Sequence, residues 1–424
     1  MESLLQAIKR LIPRRLFKAL QPLYHYALAL CGAILYGFPS KKLVVIGVTG
    51  SKGKTTTVEM VNAVLEAAGF STALASTLRF KTGALSRGNT YKMSMPGRFF
   101  QQRFLAEALR AGCTHAVMEM SSEGVPQFRH RFLYPDALVF TNIEPEHIES
   151  HGSFEKYVAA KLEIGKRVVR NGKARQILVA NGDDAETAGF QRLGITEEFL
   201  YSLKDAKPYE TDSAGASFTF SGTPIRLKLP GVFNIYNALA AATLGKALGI
   251  PLATLKRGLE SIERIPGRAE RVDAGQPFDV IVDYAHTPKS LESIYRAYEG
   301  KERICVLSGT GGGRDKWKRP LMGGIASEHC SRIVLTDEDP YDEDPGEIVS
   351  DIKTGITLPR EKVEVVMDRR KAIERALVLA KEAERPGAVL ITGKGTDPYI
   401  MGPRGSKTPW SDARVAREEL EKLG

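Results

Sequence analysis

The residues with the clearest chemical meaning form a glycine-rich loop near the N-terminus. The sequence Thr-Gly-Ser-Lys-Gly-Lys-Thr-Thr at 49–56 follows an apolar run at 42–48 and precedes a stretch with helical periodicity. Glycines in such a loop let backbone N–H groups surround phosphate oxygens, and the helix N-terminus adds partial positive charge. We expect Lys54 to contact β- and γ-phosphates and a threonine hydroxyl to bind Mg²⁺. Because Val48 replaces the first glycine of the strict pattern, a glycine-rich turn without a ligand is the alternative.

The elements that must position this loop alternate between strands and helices. Apolar runs at 115–120, 137–141 and 176–180 are separated by helical stretches at 98–112 and 153–170. Such alternation predicts a mostly parallel sheet with crossover helices.

A second set of strands and helices follows a predicted hairpin at 216–229 and a predicted helix at 234–248. The later strand-like runs lie at 278–283, 303–308, 332–336, 363–367 and 388–392. We therefore predict an α/β chain in three parts. These are a short helical N-terminal segment (1–42), a central ATP-binding domain (43–267) and a smaller Rossmann-like domain (268–424).

Length and composition exclude a small module and a disordered chain. The 424 residues predict two or three domains, and 43% are hydrophobic and 26% charged. The net charge is +10, but residues 1–42 hold seven basic side chains and one acidic one. No aromatic–basic platform accompanies this charge, so we expect no nucleic-acid partner. Four cysteines without paired spacing favour a reducing compartment, here the cytoplasm.

The N-terminal segment combines apolar and basic residues. Its apolar part, 23–38, would form a helix of about 24 Å, which is short against a hydrocarbon layer of about 30 Å. Basic residues flank it on both sides. Three interpretations are open: attachment to the inner membrane surface, a helix packed on the next domain or on a second subunit, and a cleaved signal peptide.

Further motifs follow the phosphate loop in a fixed order. They are Glu119-Met-Ser-Ser122, Thr141-Asn142 with His147 and His151-Gly152, Tyr157-x-x-x-Lys161, Gly231-x-Phe-Asn234-x-x-Asn237, Gly267-Arg268-x-Glu270, Asp283-Tyr-Ala-His286-Thr-Pro288 and Gly311-Gly-Gly-Arg314-Asp-Lys316-x-Lys-Arg-Pro320. In this order the chain resembles the Mur ligases, and the last two runs resemble the MurE-type branch. Glu146 stands where that family usually has aspartate.

This resemblance implies an ATP-dependent, ADP-forming ligase that adds an amino acid to a muramoyl peptide through an acyl phosphate. Its cofactors would be ATP, two Mg²⁺ ions and a carbamoylated lysine. The implied catalytic residues are Lys54, Glu119, His147, Lys161, Arg314 and Lys316. The implied Mg²⁺ ligands are Thr55, Glu119, His147 and carbamoylated Lys161. The implied nucleotide contacts are Thr49, Gly50, Ser51, Lys52, Gly53, Lys54, Thr55, Thr56, Asn142, Asn234, Asn237, Arg268, Asp283 and His286.

Several alternatives remain open on these residues. Lys161 could be an exposed helix lysine, and His147 with His151 and Glu146 could bind zinc because histidines four residues apart share a helix face. His286 could cap the next helix instead of contacting the nucleotide. For the whole chain, the alternatives are a folylpolyglutamate-type or other amino-acid ligase of the same superfamily, and a membrane-associated nucleotide-binding protein without ligase activity.

Two departures from the MurE-type pattern concern the substrates. Where enzymes selecting diaminopimelate carry Asp-Asn-Pro-Arg, residues 337–345 are acidic, and Tyr341 replaces the arginine. The residues expected to bind the amino acid are Asp337, Asp339, Tyr341, Asp344, Lys394 and Asp397. Carboxylates suit an ammonium side chain, which favours lysine or ornithine, whereas an acidic helix N-terminus is the alternative.

The second departure is at the start of the sequence, where 42 residues stand in place of the N-terminal domain that holds the UDP-sugar in MurE-type enzymes. The expectation is a donor held by the other domains, or a lipid-linked donor reached at the membrane surface. The oligomeric state is left open by the sequence.

Overall fold

The computed structural model describes residues 14–146 and 148–423. The described chain forms two compact units. The first contains residues through Ile143, Glu155–Tyr201 and Thr243–Leu248. The second contains Glu144–Phe154, Ser202–Ala242 and the chain from Gly249 onward.

Within the described chain, eight α-helices lie between residues 14 and 260. In chain order they are α1 (Arg14–Leu35), α2 (Lys54–Ala67), α3 (Arg98–Arg110), α4 (Ile148–His151), α5 (Phe154–Val169), α6 (Thr187–Gln191), α7 (Val232–Ala247) and α8 (Leu252–Glu260). The predicted helical leader is thus present from Arg14, whereas residues 1–13 lie outside the described chain.

The first unit is built on an eight-stranded sheet. Its strands are β1 (Val44–Thr49), β2 (Thr72–Ala75), β3 (Arg79–Thr82), β4 (Leu85–Gly88), β5 (His115–Glu119), β6 (Ala137–Phe140), β7 (Ile177–Asn181) and β8 (Glu197–Tyr201). The spatial order is β4-β3-β2-β5-β1-β6-β7-β8. Within this sheet only the β2–β3 and β3–β4 pairings are antiparallel, so the sheet is mostly parallel, as predicted.

Burial on both faces explains why the central strands read as continuous apolar runs. Val45, Ile46 and Val48 of β1 are fully buried, and neighbouring β5 and β6 are buried along their whole length. Parallel sheets covered by helices on both sides require this composition. The register Val48 to Glu119 brings the end of β5 beside the phosphate loop.

The second unit contains a small antiparallel sheet and a larger, mostly parallel one. The small sheet consists of β9 (Tyr209–Asp212), β10 (Gly215–Phe220) and β11 (Thr223–Leu227), and includes the predicted hairpin. The larger one consists of β12 (Glu270–Arg271), β13 (Asp279–Asp283), β14 (Glu302–Leu307), β15 (Arg332–Leu335), β16 (Val363–Val365) and β17 (Gly387–Thr392). Its order is β12-β13-β17-β14-β15-β16, with only β12 antiparallel.

Five helices and a further hairpin complete the described part of this unit. They are α9 (Pro288–Ala297), α10 (Lys318–His329), α11 (Pro345–Lys353), α12 (Arg369–Lys381) and α13 (Asp412–Leu423), with β18 (Tyr399–Met401) and β19 (Lys407–Pro409). Apolar clusters fill both faces of the six-stranded sheet, one with α9, α10 and α11 and the other with α12 and α13. The predicted α/β class with two parallel-rich sheets is confirmed.

No helix in the described part of the chain is long and apolar enough to cross a membrane. Helix α1 instead packs on α3, where a Cβ added to Gly32 would lie 3.5 Å from Phe99.

Candidate active site

The phosphate loop lies in the first unit between β1 and α2. Gly50 has φ +152°, and a Cβ added there would lie 1.9 Å from Thr141 Oγ1, so only glycine fits. Gly53 adopts φ 79° immediately before α2 begins at Lys54. The N-terminus of α2 therefore lies at the loop, where the N–H groups of its first turn can face an anion.

Residues at the end of β6 hold the loop in shape. Thr141 Oγ1 donates a hydrogen bond of 2.7 Å to the Lys52 carbonyl oxygen. Asn142 Oδ1 accepts one of 2.9 Å from the Lys52 N–H, and the Asn142 carbonyl accepts one of 2.8 Å from Ser51 N–H. Asn142, predicted to contact the nucleotide, thus contacts the backbone of the loop in this structure.

Two ammonium groups converge on the carbonyl oxygen of Gly50. Lys54 Nζ donates to it over 2.9 Å and to the Ser51 carbonyl over 2.8 Å. Lys161 Nζ, from α5, donates to the same Gly50 oxygen over 2.7 Å. Lys161 is only 1% exposed, so its interpretation as an exposed helix lysine is wrong. These charges give the loop the positive field that a phosphate requires.

Tyr157, one helical turn before Lys161, also supports the loop. Its hydroxyl lies 2.7 Å from Ser51 Oγ, and Lys161 Nζ lies 4.6 Å from the centre of its ring. Tyr157 is buried, so α5 contributes both a cation and a hydroxyl to the loop.

A buried carboxylate stands next to the first turn of α2. Glu119 Oε2 accepts hydrogen bonds from Thr55 Oγ1 (2.9 Å), Thr77 N–H (3.1 Å) and Thr77 Oγ1 (3.2 Å). Glu119 is 3% exposed. Its hydrogen-bond partners in the described chain are neutral hydroxyl and amide groups, and a buried carboxylate is stabilised by a cation.

This donor set fits Mg²⁺. Thr55 and Glu119 offer hydroxyl and carboxylate oxygens, the ligands that a hard cation prefers. His147 is a further predicted ligand and the residue on which the zinc alternative depends, and it lies outside the described residues. Within those residues, no group of three or more histidine, cysteine or acidic side chains is placed to hold a metal.

In the second unit, the predicted residues gather at one edge of the larger sheet. Strands β13, β17, β14 and β15 are parallel, so the loops after their carboxyl ends share this edge. Asp283 ends β13 and accepts hydrogen bonds from Ala269 N–H (2.6 Å) and Ala285 N–H (2.7 Å). The Arg268 guanidinium lies 4.6 Å from the centre of the Tyr284 ring.

His286 joins two segments within this unit. Its Nδ1 lies 2.7 Å from the Tyr284 carbonyl oxygen, and its Nε2 lies 3.0 Å from Glu146 Oε1. The cap of α9 is made instead by Thr287 and Ser290, which form a capping box. The interpretation of His286 as the helix cap is therefore wrong.

The glycine-rich segment after β14 brings cations to a carboxylate. Glu343 accepts hydrogen bonds from Gly313 N–H (2.7 Å) and Arg319 (3.0 Å), and Lys316 Nζ lies 3.1 Å away. Burial alone would raise the pKa of Glu343, but these three donors lower it to about 2. Lys316, predicted to be catalytic, is thus paired with a carboxylate in this structure.

Arg314, the other predicted cation of this segment, lies near a pair of carboxyl groups. Burial and a hydrogen bond with Asp315 raise the pKa of Glu149 to about 7, and the charge of Arg314 opposes this rise.

The two predicted asparagines of α7 are buried and bonded to each other. Asn237 Nδ2 donates to Asn234 Oδ1 over 3.2 Å, and Asn234 Nδ2 donates to the Pro230 carbonyl over 2.8 Å. Their side chains fix the turn that starts α7.

Comparison with known proteins agrees with this geometry. The Mur ligase middle domain matches residues 48–245, and the Mur ligase glutamate ligase domain matches residues 267–395. A UDP-N-acetylmuramyl-tripeptide synthetase of Roseiflexus sp. is 35% identical over 94% of this chain and 82% of its own length. The chain belongs to the Mur ligase family. It is an ATP-dependent, ADP-forming acid–amino-acid ligase.

Other relatives of this Mur ligase support the assignment. A UDP-N-acetylmuramoyl-L-alanyl-D-glutamate–2,6-diaminopimelate ligase of Syntrophomonas wolfei is 35% identical, with 93% of this chain and 81% of that protein covered. The solved structure of a ligase of the same name has a TM-score of 0.62, 26% identity, and coverage of 90% and 79%. Folylpolyglutamate synthase of Mycobacterium tuberculosis shares the fold, with a TM-score of 0.71, 17% identity, and coverage of 87% and 92%.

Two residues predicted to bind the amino acid are engaged with each other in this Mur ligase. Lys394 is fully buried, and its Nζ donates to Asp339 Oδ1 over 2.7 Å and to the Tyr399 carbonyl over 2.6 Å. Asp339 Oδ1 also accepts from Met401 N–H over 2.7 Å. The pair ties the loop after β15 to the loop after β17.

The remaining acidic residues of the Mur ligase's 337–345 segment have different surroundings. Asp344 caps α11 by accepting a hydrogen bond from Gly346 N–H, as the helix-terminus alternative predicts. Burial raises the pKa of Asp337. Tyr341 has φ 55°, and its N–H donates to the Met401 carbonyl. Asp397 Oδ2 lies 3.7 Å from Lys394 Nζ.

The sequence did not point to two residues of this Mur ligase: Thr77, which holds the buried carboxylate of Glu119, and Glu338, which is a buried carboxylate itself. Thr77, in the turn between β2 and β3, bonds Glu119 through both its N–H and its hydroxyl. Glu338 accepts hydrogen bonds of 2.8 Å from Ser308 and Thr310. Neither lies in a recognised motif, although Glu338 directly follows the predicted Asp337.

Proposed function

We propose that this Mur ligase extends a muramoyl peptide by one amino acid through an acyl phosphate. The γ-phosphoryl group of ATP passes to a carboxylate oxygen of the peptide, and ADP leaves. The amine nitrogen of the amino acid then attacks the acyl carbon, loses a proton and expels phosphate. The observation that carries this proposal is the convergence of Lys54, Lys161 and the Thr55–Glu119 pair on one phosphate loop.

Each of these side chains has a role suited to its surroundings. Lys54 exchanges its two loop carbonyls for β- and γ-phosphate oxygens, while Thr55 and Glu119 hold Mg²⁺, with His147 as a further ligand. Bound Mg²⁺ supplies positive charge that stabilises the transferring phosphoryl group. The whole loop, Thr49, Gly50, Ser51, Lys52, Gly53, Lys54, Thr55 and Thr56, surrounds the phosphates with its N–H groups.

The decisive test of the lysine role compares Lys54→Met with Lys204→Met, an exposed lysine elsewhere. We expect Lys54→Met to lower ADP release at least 100-fold because phosphoryl-transfer charge is no longer balanced. Lys204→Met keeps the wild-type rate. Equal rates in both variants would contradict the proposed role.

Lys161 is proposed to carry a carbamate when the enzyme is active. Its neutral Nζ adds to CO₂, a C–N bond forms, and one proton is released. The anionic carbamate oxygens then serve a second Mg²⁺ ion, where an ammonium would repel it. Support comes from the burial of Lys161 beside the loop. A ¹³C resonance of a carbamate in protein equilibrated with ¹³CO₂, lost in Lys161→Arg, tests this assignment.

The second unit is proposed to supply cations and nucleotide contacts. Arg314 and Lys316 clamp the γ-phosphate and carboxylate charges, which requires Lys316 to leave Glu343. The proposed nucleotide contacts outside the loop are Asn142, Asn234, Asn237, Arg268, Asp283 and His286. We place the domain boundaries at 42/43 and 267/268, close to residues 48 and 267, where the two matching family models begin.

We propose lysine or ornithine as the amino acid, in preference to diaminopimelate. Tyr341 stands where an arginine would pair a second carboxylate, and Asp337 and Asp397 offer negative charge to an ammonium group. Asp339, Tyr341, Asp344 and Lys394 complete the proposed pocket, with Asp339 and Lys394 acting as a pair.

One experiment separates the substrates. ADP release is measured over a matrix of donors (UDP-linked muramoyl peptide, lipid-linked muramoyl peptide and folyl glutamate) and amino acids (lysine, ornithine and diaminopimelate). We expect release with a muramoyl donor and a diamino acid lacking the second carboxylate. Preference for diaminopimelate would overturn the amino-acid assignment, and release with the folyl donor alone would overturn the peptide assignment.

We also propose that the enzyme works in the cytoplasm at the inner face of the membrane, through residues 1–42. The support is the apolar segment with basic residues on both sides.

A further inference from the structure

Helix α1 exposes an uncharged apolar stripe. Leu23, Ile34 and Leu35 are exposed by 67%, 60% and 68% of their surface. The exposed residues Leu20, Tyr24, Ala27, Cys31 and Ile34 recur every three or four positions, and Leu23 and Leu35 flank them, so all seven lie on one side of the helix. We define the exposed stripe as the following residues, all exposed and none charged: Leu20, Leu23, Tyr24, Ala27, Cys31, Ile34 and Leu35.

The opposite side of α1 is the one that packs on the first unit. Ala29 and Ala33 are buried, and Gly32 lies against Phe99 of α3. The Tyr26 ring lies 5.4 Å from the Phe132 ring, beside this contact. The helix therefore contacts the rest of its unit mainly through small residues and the Tyr26 ring, whereas the side chains of the exposed stripe point away from it.

Charge near the stripe indicates which partner covers it. Five basic residues lie within 9–18 and two more at 41–42, whereas Glu2 is the one acidic residue of 1–42. A second copy docked through the stripe would bring basic ends together in either a parallel or an antiparallel arrangement. Anionic lipid headgroups instead neutralise these charges while the acyl region covers the apolar side chains.

The dimensions of the stripe fit a helix lying in the plane of a bilayer surface. Residues 20–35 extend about 22 Å along the helix axis, which is shorter than the hydrocarbon layer. We propose that the exposed stripe inserts into the interfacial layer of an anionic lipid bilayer. This proposal rests on the proposed location at the inner membrane face and is independent of the ligase reaction.

Flotation of the full-length protein with lipid vesicles tests the proposal. Vesicles of phosphatidylcholine alone are compared with vesicles that also contain phosphatidylglycerol. The stripe variant is Leu23→Glu with Ile34→Glu. The matched control is Leu85→Glu with Leu200→Glu, which changes two leucines of the same unit exposed by 77% and 49%.

We expect the wild type and the control to float with the anionic vesicles, and the stripe variant to partition at least tenfold less. Binding falls with added salt and is weaker on phosphatidylcholine alone. Equal flotation of the stripe variant and the control, or no flotation of the wild type, would overturn the proposal.

Two further measurements separate other outcomes. Sedimentation velocity without lipid identifies a second copy as the occupant if the wild type is dimeric and the stripe variant monomeric, and that result would also overturn the lipid proposal. ADP release in lipid-free solution reports the ligase reaction separately. We expect it to be the same in the stripe variant and the wild type, because the changed side chains face away from the phosphate loop's unit.

Discussion

At the scale of single residues, the candidate catalytic side chains of the first unit donate hydrogen bonds to two oxygen atoms. The Gly50 carbonyl oxygen accepts from Lys54 and Lys161, and Glu119 Oε2 accepts from Thr55 and Thr77. Three donors on one carboxylate oxygen fix the side chain's rotation and leave Oε1 for a cation. Thr77 is thus a positioning residue, acting on Mg²⁺ through Glu119.

Replacing Thr77 with valine tests this positioning. Valine keeps the shape and the backbone N–H but removes the hydroxyl bond to Glu119, so the carboxylate is held less firmly. We expect the Mg²⁺ concentration for half-maximal ADP release to rise about tenfold, as is typical for outer-shell partners of metal ligands. Mn²⁺ affinity, measured by electron paramagnetic resonance of the nucleotide complex, weakens similarly.

Thr77→Ser is the control, because serine restores the hydroxyl. If Thr77→Ser recovers Mg²⁺ and Mn²⁺ affinity, the loss in Thr77→Val comes from the missing hydroxyl that positions Glu119 and not from a general disturbance of the fold. Unchanged metal affinity in Thr77→Val would show that Thr55 and the Thr77 N–H are sufficient.

At the scale of elements, the acidic residues at two helix N-termini can be compared to distinguish a structural role from a substrate-binding role. Asp344 caps α11 and Asp368 caps α12, each through a backbone N–H of the first turn. Asp344 lies in the segment proposed to bind the amino acid, whereas Asp368 was not predicted to bind any substrate. The two caps therefore form a natural comparison.

We expect Asp344→Ala and Asp368→Ala each to lower the free energy of unfolding by about 1 kcal/mol, the usual cost of losing a helix cap. Denaturant titration measures this loss. If Asp344 also attracts the ammonium of the substrate, Asp344→Asn keeps the cap but raises KM for the amino acid. Asp368→Asn leaves KM unchanged. Equal KM values for both asparagine variants would restrict Asp344 to its capping role.

At the scale of the whole molecule, the sequence predicted the sheets better than the contacts within the site. Continuous apolar runs identified β1, β5, β6 and β7 because a covered parallel sheet needs them. Motif spacing led to Lys161 but not to its burial, which depends on how α5 crosses the loop. The pairing of Asp339 with Lys394 joins residues 55 positions apart in sequence, which local patterns do not reveal.

The acid stability of the whole molecule should reflect one buried histidine. His130 is 1% exposed, neither of its ring nitrogens has a hydrogen-bond partner among residues 14–146 and 148–423, and burial with nearby Arg131 and Arg167 lowers its pKa to about 3. The unfolded chain binds this proton near pH 6.5 and the folded chain does not, so stability falls as pH drops below 6.5. In the wild type, His130 should lower the free energy of unfolding by up to about 1.4 kcal/mol for each pH unit below 6.5, and we expect this contribution to be absent in His130→Phe.

Denaturant titrations of wild type and His130→Phe between pH 7 and pH 5 measure the difference. Parallel stability curves would show that His130 takes up its proton in the folded protein as well.

Nucleotide binding should stabilise the folded molecule, and the contacts to the phosphates should come from the phosphate loop. A ligand that binds only the folded state adds about 2.7 kcal/mol at a concentration of 100 Kd. For Mg²⁺ with ADP, calorimetry should show this gain in the wild type.

The gain should fall strongly on chelation of Mg²⁺, because Glu119 is then left as a buried carboxylate facing the phosphates. It should be lost in Lys54→Met and kept in Lys204→Met, since Lys54 contacts the loop and Lys204 is an exposed lysine elsewhere. If the nucleotide still raised the unfolding temperature after chelation and in Lys54→Met, it would bind away from this loop. That result would contradict the proposed roles of Thr55, Glu119 and Lys161.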